Sequence, residues 1–248
     1  MSSFPREKND ASERFRCLKG RMLNCRQLEE GSLQQDPFEW AFVDRLFTTA
    51  DAAAIAGSYP MDHFKTVRGN DGEKGYEYDV RSLIHMGAQS ASKAEHLAPA
   101  WQQLATDLLS EEYRGAMSRL TNHDLKDLVI EANVFHYGPN DWMGPHLDLK
   151  EKVITHVLYF NDSWNPADGG CLNILRSSTP SDVHTEVPPI VGNSVVLVRS
   201  EKSWHSVSRN VGASGRSRRS MTVTFYPREC NSTMWPPGAV AELHDFIA

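Results

Sequence analysis

Several features that define specialised protein classes are rare or missing in this sequence. Cysteine occurs only at positions 17, 25, 171 and 230, and no two cysteines have CxxC spacing, so neither a zinc site nor a disulfide framework is predicted. No apolar run approaches the roughly 18 residues of a bilayer-spanning helix. The first ten residues are polar and charged rather than apolar, so we expect no secretory signal and favour a cytoplasmic location.

An excess of positive charge is also missing. The chain has 26 lysines and arginines against 32 acidic residues, which gives a formal net charge of -6. Such a balance provides no overall attraction to nucleic acid or to an anionic membrane. We therefore expect a small-molecule substrate, with neither nucleic acid nor membrane as a partner. The oligomeric state is left open by the sequence.

The sequence has an ordinary globular composition, and its pattern of apolar residues changes near residue 122. Before that point, apolar residues recur at helical spacing between Ala94 and Met117, which predicts one or two amphipathic helices over approximately 90–122. After it, short strands alternate with turn-rich pieces. The predicted strands are Leu128–Tyr137, Lys152–Phe160, Cys171–Leu175, His184–Ile190, Ser194–Val198, His205–Arg209 and Arg218–Tyr226.

This order of elements predicts the fold class and the domain organisation. Helices followed by many short strands indicate a mainly β fold, a double-stranded β-helix or jelly roll with helical support on one face. A length of 248 residues suits one such domain, which we place at 37–248. Residues 1–36 mix both signs of charge with little apolar periodicity, so we predict a flexible or lid-like N-terminal segment there.

The residues with the clearest chemical signal are His146, Asp148 and His205. His146 and Asp148 form a His-x-Asp pair, and in an extended segment residues two apart point the same way. His205 begins a later strand that a jelly roll can place opposite them. Two histidines and one carboxylate are the ligands of the facial triad that holds Fe(II) and leaves positions open for oxygen chemistry. The pattern therefore predicts an iron centre.

The context of the His-x-Asp pair strengthens this prediction. Gly144-Pro145 precedes it, a strand ending in Tyr159-Phe160-Asn161 follows, and then come Gly169-Gly170, Trp204-His205 and Arg218-x-Ser220, in that order. Over approximately 128–227 the chain resembles the 2-oxoglutarate and Fe(II)-dependent dioxygenases, in particular their prolyl-4-hydroxylase-like branch. The N-terminal half matches this family only as generic supporting structure.

The resemblance assigns roles residue by residue. It implies that His146, Asp148 and His205 hold iron and that Arg218 pairs with the distal carboxylate of 2-oxoglutarate. A guanidinium suits that role because it stays charged and offers a planar two-pronged donor. The further residues that we assign to co-substrate binding are Ser220, which shares the strand face of Arg218, and the tyrosines Tyr159 and Tyr137. For either tyrosine, an aromatic core residue with a satisfied hydroxyl is the alternative.

The reaction implied by the resemblance uses Fe(II), 2-oxoglutarate and O2, with ascorbate as a candidate reductant. It converts 2-oxoglutarate to succinate and carbon dioxide while oxygen is transferred to an unactivated C–H bond. Related halogenases have a small residue in place of the carboxylate ligand, so Asp148 favours hydroxylation. Desaturation and ring formation stay open as outcomes.

The substrate is not specified by any motif. We favour a free small molecule, such as an amino acid or a specialised metabolite, because the chain has no peptide-binding repeat and no long basic face. The first alternative is a protein or peptidyl-prolyl hydroxylase, which would need an open groove for an extended chain. An alternative of another class is a non-catalytic jelly-roll binding or sensor protein.

Overall fold

The computed structural model describes residues 20–71, 74–211 and 216–246. Its helices are α1 (Cys25–Glu29), α2 (Thr49–Gly57), α3 (Pro99–Leu108) and α4 (Glu111–Thr121), with short 3₁₀ turns at Ala94–His96 and Pro166–Asp168. Its strands are β1 (Trp40–Val43), β2 (Lys65–Asp71), β3 (Lys74–Ile84), β4 (Val129–Tyr137), β5 (Trp142–His146), β6 (Ile154–Tyr159), β7 (Leu172–Leu175), β8 (Val183–Val187), β9 (Ser194–Val198), β10 (His205–Val207) and β11 (Arg218–Tyr226).

Local sequence signals explain where the supporting helices begin and end. Pro99 occupies the first turn of α3, where its missing N–H costs nothing. Ser110 caps α4 by accepting a hydrogen bond from the backbone N–H of Tyr113, and Asn122 ends that helix in the left-handed conformation that asparagine tolerates. Helices α3 and α4 lie within the stretch 90–122 for which one or two helices were predicted.

The strands of the described residues form one curled, antiparallel sheet in the order β1-β9-β6-β11-β4-β3-β5-β10-β7-β8, with β2 beside β3. Its central strand β4 is almost entirely buried. Ile130, Ala132 and Val134 pack towards the helices, whereas Phe135 and Tyr137 belong to a second apolar cluster inside the curl. The predicted jelly roll is confirmed, and its interior is the concave face on which the inward residues of β4, β6 and β11 meet.

The segment 1–36 falls partly outside the described residues, because residues 1–19 are not among them. In the part that is described, Met22, Leu23 and Leu28 are buried in the helix-side core. The backbone N–H groups of Met22 and Leu23 both donate to Oδ2 of Asp107 at 2.8 and 2.9 Å. Residues 22–28 are thus packed, while the behaviour of the whole segment stays a prediction.

Among the described residues, none of the helices combines the length and the apolar character that crossing a bilayer requires.

Candidate active site

The sheet brings His146, Asp148 and His205 together. His146 ends β5 and His205 begins β10, and the antiparallel register places the two directly opposite each other. Their ring centroids are 4.2 Å apart. Asp148 follows His146 by two residues, and one ligand-type atom from each of the three residues lies within 4.8 Å of the others. All three side chains are buried, so the chain builds a compact, nearly dry cluster from two separate strands.

Backbone carbonyls fix the protonation of both imidazole rings. Nδ1 of His146 lies 3.0 Å from the carbonyl oxygen of Gly144, and Nδ1 of His205 lies 2.9 Å from that of Ser203. A carbonyl only accepts hydrogen bonds, so each Nδ1 carries the proton and donates. Nε2 is then the ring nitrogen that is placed to bind a metal ion, because outer contacts of this kind commonly orient histidine ligands.

Asp148 is held by two side chains that follow it closely in the sequence. The hydroxyl of Thr155 donates to Oδ2 at 2.7 Å, and the ammonium group of Lys152 lies 2.5 Å from Oδ1. Burial acts to raise the pKa of this carboxyl, but Lys152, together with His205 and His146 in their protonated forms, outweighs burial and holds the pKa well below its usual value. Asp148 is therefore an anion, and each of its oxygens keeps a lone pair for a cation.

These donors fit an iron(II) ion. Two neutral imidazole nitrogens and one carboxylate oxygen, converging from adjacent strands, are the donor set of the facial triad. The carboxylate is buried and pairs with Lys152 through Oδ1, and a buried carboxylate favours a nearby cation.

A second polar group of the interior surrounds Arg218. This side chain is only 2% exposed, and its guanidinium carbon lies 4.8 Å from the ring centre of Tyr137 and 5.5 Å from that of Tyr159. Nη1 donates to the hydroxyl of Ser220. All four residues that we predicted for the co-substrate are thus neighbours, because β4, β11 and β6 are adjacent and present them on one face.

The hydrogen bonding around Arg218 is incomplete in a way that fits a carboxylate ligand. Nε of Arg218 and the hydroxyl of Tyr159 are buried, and neither has a well-oriented hydrogen-bond partner among the described residues. Burial raises the pKa of the Tyr159 hydroxyl despite the nearby arginine, so this hydroxyl stays protonated and can donate. Buried donors of this kind need an acceptor, and the distal carboxylate of 2-oxoglutarate would supply one.

Three features of the site have no counterpart in the sequence predictions. Lys152 and Thr155 hold Asp148, and Glu131 faces the interior from β4, where burial raises the pKa of its carboxyl. The signal for Glu131 is its parity, since it shares the strand face of Tyr137 and is the acidic residue of a mostly apolar strand. Lys152 and Thr155 contact Asp148 only because the chain folds back after Asp148. That path of the chain cannot be predicted from the residue types.

Comparison with known proteins gives the same picture. Residues 132–226 match the sequence model of the 2OG-Fe(II) oxygenase superfamily. No curated protein matches the chain significantly.

Solved structures resemble the fold. A prolyl-4-hydroxylase from Pseudomonas putida is 22% identical, with a TM-score of 0.52 over 76% of this chain and 92% of that one. A 2OG-Fe(II) oxygenase family oxidoreductase from Burkholderia pseudomallei is 15% identical, with a TM-score of 0.57 over 87% and 98%. The matched region contains the triad and Arg218, so the part of the chain that builds the candidate site, residues 132–226, is similar to the 2OG-Fe(II) oxygenase superfamily.

Proposed function

We propose that this oxygenase hydroxylates an unactivated C–H bond of a small molecule, such as an amino acid or a specialised metabolite, and releases succinate and carbon dioxide from 2-oxoglutarate. His146, Asp148 and His205 hold Fe(II), and Arg218 holds the distal carboxylate of the co-substrate. The observation that carries this proposal is the pairing of a buried triad with a buried arginine whose Nε lacks a partner among the described residues.

The residues of the chain perform binding, orientation and exclusion of water, while bound Fe(II) and 2-oxoglutarate supply the oxidative chemistry. The carbonyls of Gly144 and Ser203 orient the two imidazoles. Thr155 orients Asp148, and the hydroxyls of Ser220 and Tyr159 flank Arg218. Ligands that are held before the co-substrate arrives lose little freedom on binding it, which favours a defined reaction geometry.

The retained carboxylate ligand supports hydroxylation. Asp148 occupies the third ligand position with an anionic side chain that Lys152 and Thr155 hold in place. A halogenase needs that position open for halide, so the fixed aspartate argues against halogenation.

A compact, charged substrate is supported by the side chains close to the triad. The register of β4, β11 and β6 aligns Glu131, Thr224 and Thr155 in one row across the interior, and Thr155 contacts Asp148. Arg199 donates to the backbone carbonyl of Asp148 at 3.3 Å. Arg199 also pairs with Glu201, so the acidic group of Glu131 is the feature that matches a cationic substrate group, such as the ammonium of an amino acid.

The C-terminal segment supports a small rather than an extended substrate. The hydroxyl of Ser232 donates to the buried carboxylate of Glu131, and the indole N–H of Trp235 donates to Oδ1 of Asn133 at 2.7 Å. This segment therefore lies against the interior face of β4, where an open peptide groove would otherwise begin.

The decisive experiment measures succinate formation by the Fe(II)-loaded protein with 2-oxoglutarate and a panel of free amino acids, other small metabolites and proline-containing peptides. We expect stimulation by one class of free small molecule. We expect His146→Ala and Asp148→Ala to abolish succinate formation, because each removes a ligand of the metal. His123→Ala is the control, since the ring of His123 contacts the carbonyl of Thr121 outside the site.

The panel also decides among the alternatives. Turnover with peptides alone would favour a protein or peptidyl-prolyl hydroxylase, the activity named for the Pseudomonas putida structure. Metal and 2-oxoglutarate binding without succinate formation for any substrate would favour a non-catalytic sensor. Unchanged succinate formation by His146→Ala would remove the iron assignment. Ascorbate as reductant, the absence of a nucleic-acid partner and the cytoplasmic location stay predictions.

A further inference from the structure

A second group of potential metal ligands lies outside the active site, where two segments of the chain meet. Asp62 and His63 precede β2, and His96 ends the 3₁₀ turn Ala94–His96. One ligand-type atom from each of the three lies within 4.8 Å of the others. The group is partly open to solvent, with His96 the most exposed of its side chains.

The distances within this group match those between ligands of one ion. Oδ2 of Asp62 lies 3.1 Å from Nδ1 of His63 and 3.8 Å from Nδ1 of His96. Two ligands of a tetrahedral ion with bonds of about 2.0–2.1 Å are about 3.3 Å apart. The two imidazole rings lie side by side, with centroids 4.5 Å apart, so both nitrogens face the same carboxylate oxygen.

The contact between Asp62 and His63 is not an ordinary hydrogen bond. Nδ1 of His63 is buried and has no well-oriented hydrogen-bond partner among the described residues, although Oδ2 of Asp62 is only 3.1 Å away. Two ligand atoms whose lone pairs point at a shared cation lie close together but are poorly aligned for a hydrogen bond between them. His63 also has a left-handed backbone, with φ of 60°, which non-glycine residues seldom adopt.

The surroundings hold the ligands in place. Nε of Arg81, which is 1% exposed, donates to the backbone carbonyl of Asp62 at 3.1 Å and contacts Oδ1 at 3.3 Å. Oδ1 is thereby occupied and Oδ2 is turned towards the histidines. The positive charge of Arg81 opposes a cation, but Glu95, whose Oε1 lies 3.9 Å from Nε2 of His96, adds a second negative charge.

We propose that Asp62, His63 and His96 form a second metal site, separate from the iron centre, for a divalent ion of the zinc class. Two imidazoles and one carboxylate suit Zn(II), Co(II) or Ni(II) better than Mg(II) or Ca(II), and the exposed side of the group leaves room for water as a fourth ligand. The site ties the C-terminal segment to the sheet, because the N–H of His63 donates to Oδ1 of Asp245 and Phe64 pairs with His244.

The test counts bound zinc on the full chain after dialysis against excess Zn(II). We expect wild type and the control His123→Ala to bind two equivalents, and His63→Ala and His96→Ala to bind one. His205→Ala, which disables the active-site triad, should bind one, and His205→Ala/His96→Ala none. The His96 variant decides the matter even if His63→Ala does not fold, because the side chain of His96 is about half exposed.

The outcomes separate this proposal from the proposed function. If wild type binds one equivalent that His96→Ala removes, the second site stands and the iron assignment fails. If wild type binds one equivalent that His205→Ala removes, or if His96→Ala binds as much as wild type, the second site is overturned. In the His205→Ala background, zinc should also raise the thermal midpoint by a few degrees, and the added His96→Ala change should remove that shift.

Discussion

Among the described residues, the neighbours of the buried Arg218 guanidinium are two phenol rings and a hydroxyl. These neighbours are the reason that we assign an anionic ligand to this side chain. We expect Arg218→Lys to raise the KM for 2-oxoglutarate roughly 10- to 100-fold, because lysine keeps the charge but loses the two-pronged contact. The change in kcat at saturating 2-oxoglutarate should be much smaller. Steady-state succinate assays measure both constants.

The neighbouring arginine provides the matched control. Arg219 points to the other strand face, where its guanidinium lies 5.2 Å from the ring centre of Tyr59. Arg219→Lys should leave the KM for 2-oxoglutarate within about twofold, since no contact with the co-substrate is removed. A larger effect at Arg219 than at Arg218 would contradict the assignment of the co-substrate carboxylate.

His156 gives a prediction about stability rather than catalysis. Its side chain is fully buried on the helix side of β6, with Nδ1 2.9 Å from the hydroxyl of Tyr113, and burial lowers the pKa of the imidazole to about 3. In the unfolded chain the pKa of this imidazole is near 6.5. At a pH between about 3 and 6.5 the imidazole therefore binds a proton in the unfolded chain but not in the folded one. Stability is therefore complete above about pH 6.5 and is lost as the pH falls.

The variant His156→Gln tests this pH dependence. Glutamine keeps an acceptor for the hydroxyl of Tyr113 but does not titrate. Between pH 7.5 and pH 5, wild type should lose about 2 kcal/mol more of its unfolding free energy than the variant. Urea unfolding at the two pH values measures the difference, and equal losses in both proteins would show that His156 does not stay neutral in the fold.

Single residues were predictable where the residue type itself indicates a ligand. Two histidines and an aspartate indicate a metal ion, and an arginine indicates a carboxylate. Lys152 and Thr155 were not predictable in this way, because lysine and threonine have many ordinary surface roles. Only the return of the chain from Asp148 into β6 brings them to the carboxylate.

At the scale of elements, the predicted strands after residue 122 are confirmed, with shorter ends at β8 and β10. The sequence predictions did not include β2, β3 or β5. β2 and β3 are rich in charged and polar residues, so their alternation is weak. β5 contains Gly144-Pro145, a pair that usually marks a turn, and the register between β5 and β10 is irregular at that point, as expected where proline removes a donor.

The C-terminal segment makes a testable prediction at this scale. Trp235 anchors it to Asn133 through the indole N–H, and Lys65 lies over the indole ring at 4.2 Å. We expect Trp235→Ala to increase hydrogen exchange of the backbone amides of 231–235 and to raise the KM for the organic substrate, because the segment that covers the interior loses its contacts with Asn133 and Lys65.

The same segment contains its own control. Val240 is 99% exposed, so Val240→Ala removes no packing and should leave both exchange and KM unchanged. Faster exchange without any change in KM would mean that the segment is anchored by Trp235 but does not border the substrate.

For the whole molecule, the boundary predicted at residue 37 can be tested by truncation. Removing residues 1–36 deletes the buried side chains of Met22, Leu23 and Leu28 and leaves the buried carboxylate of Asp107 without two of its donors. We expect the thermal midpoint to fall by roughly 10 °C or more, since several kcal/mol of burial and hydrogen bonding are lost.

A second truncation controls for chain length. Removing residues 1–19 alone keeps every one of these contacts, so its midpoint should stay close to that of the full chain. Equal midpoints for the two truncations would show that residues 20–36 contribute little to the core. Differential scanning calorimetry of the three proteins makes the comparison.

The sequence by itself predicted the kinds of metal ligand, an arginine for a carboxylate and the jelly roll, and its resemblance to the 2-oxoglutarate oxygenases implied the co-substrate. The residue types and the short-range periodicity behind these predictions are local properties of the chain. The tertiary structure decided which groups meet. The register that sets His205 opposite His146, the cover that Trp235 provides and the meeting of Asp62 with His96 all join residues far apart in the chain. Such contacts depend on the packing of the whole sheet, which no local pattern contains.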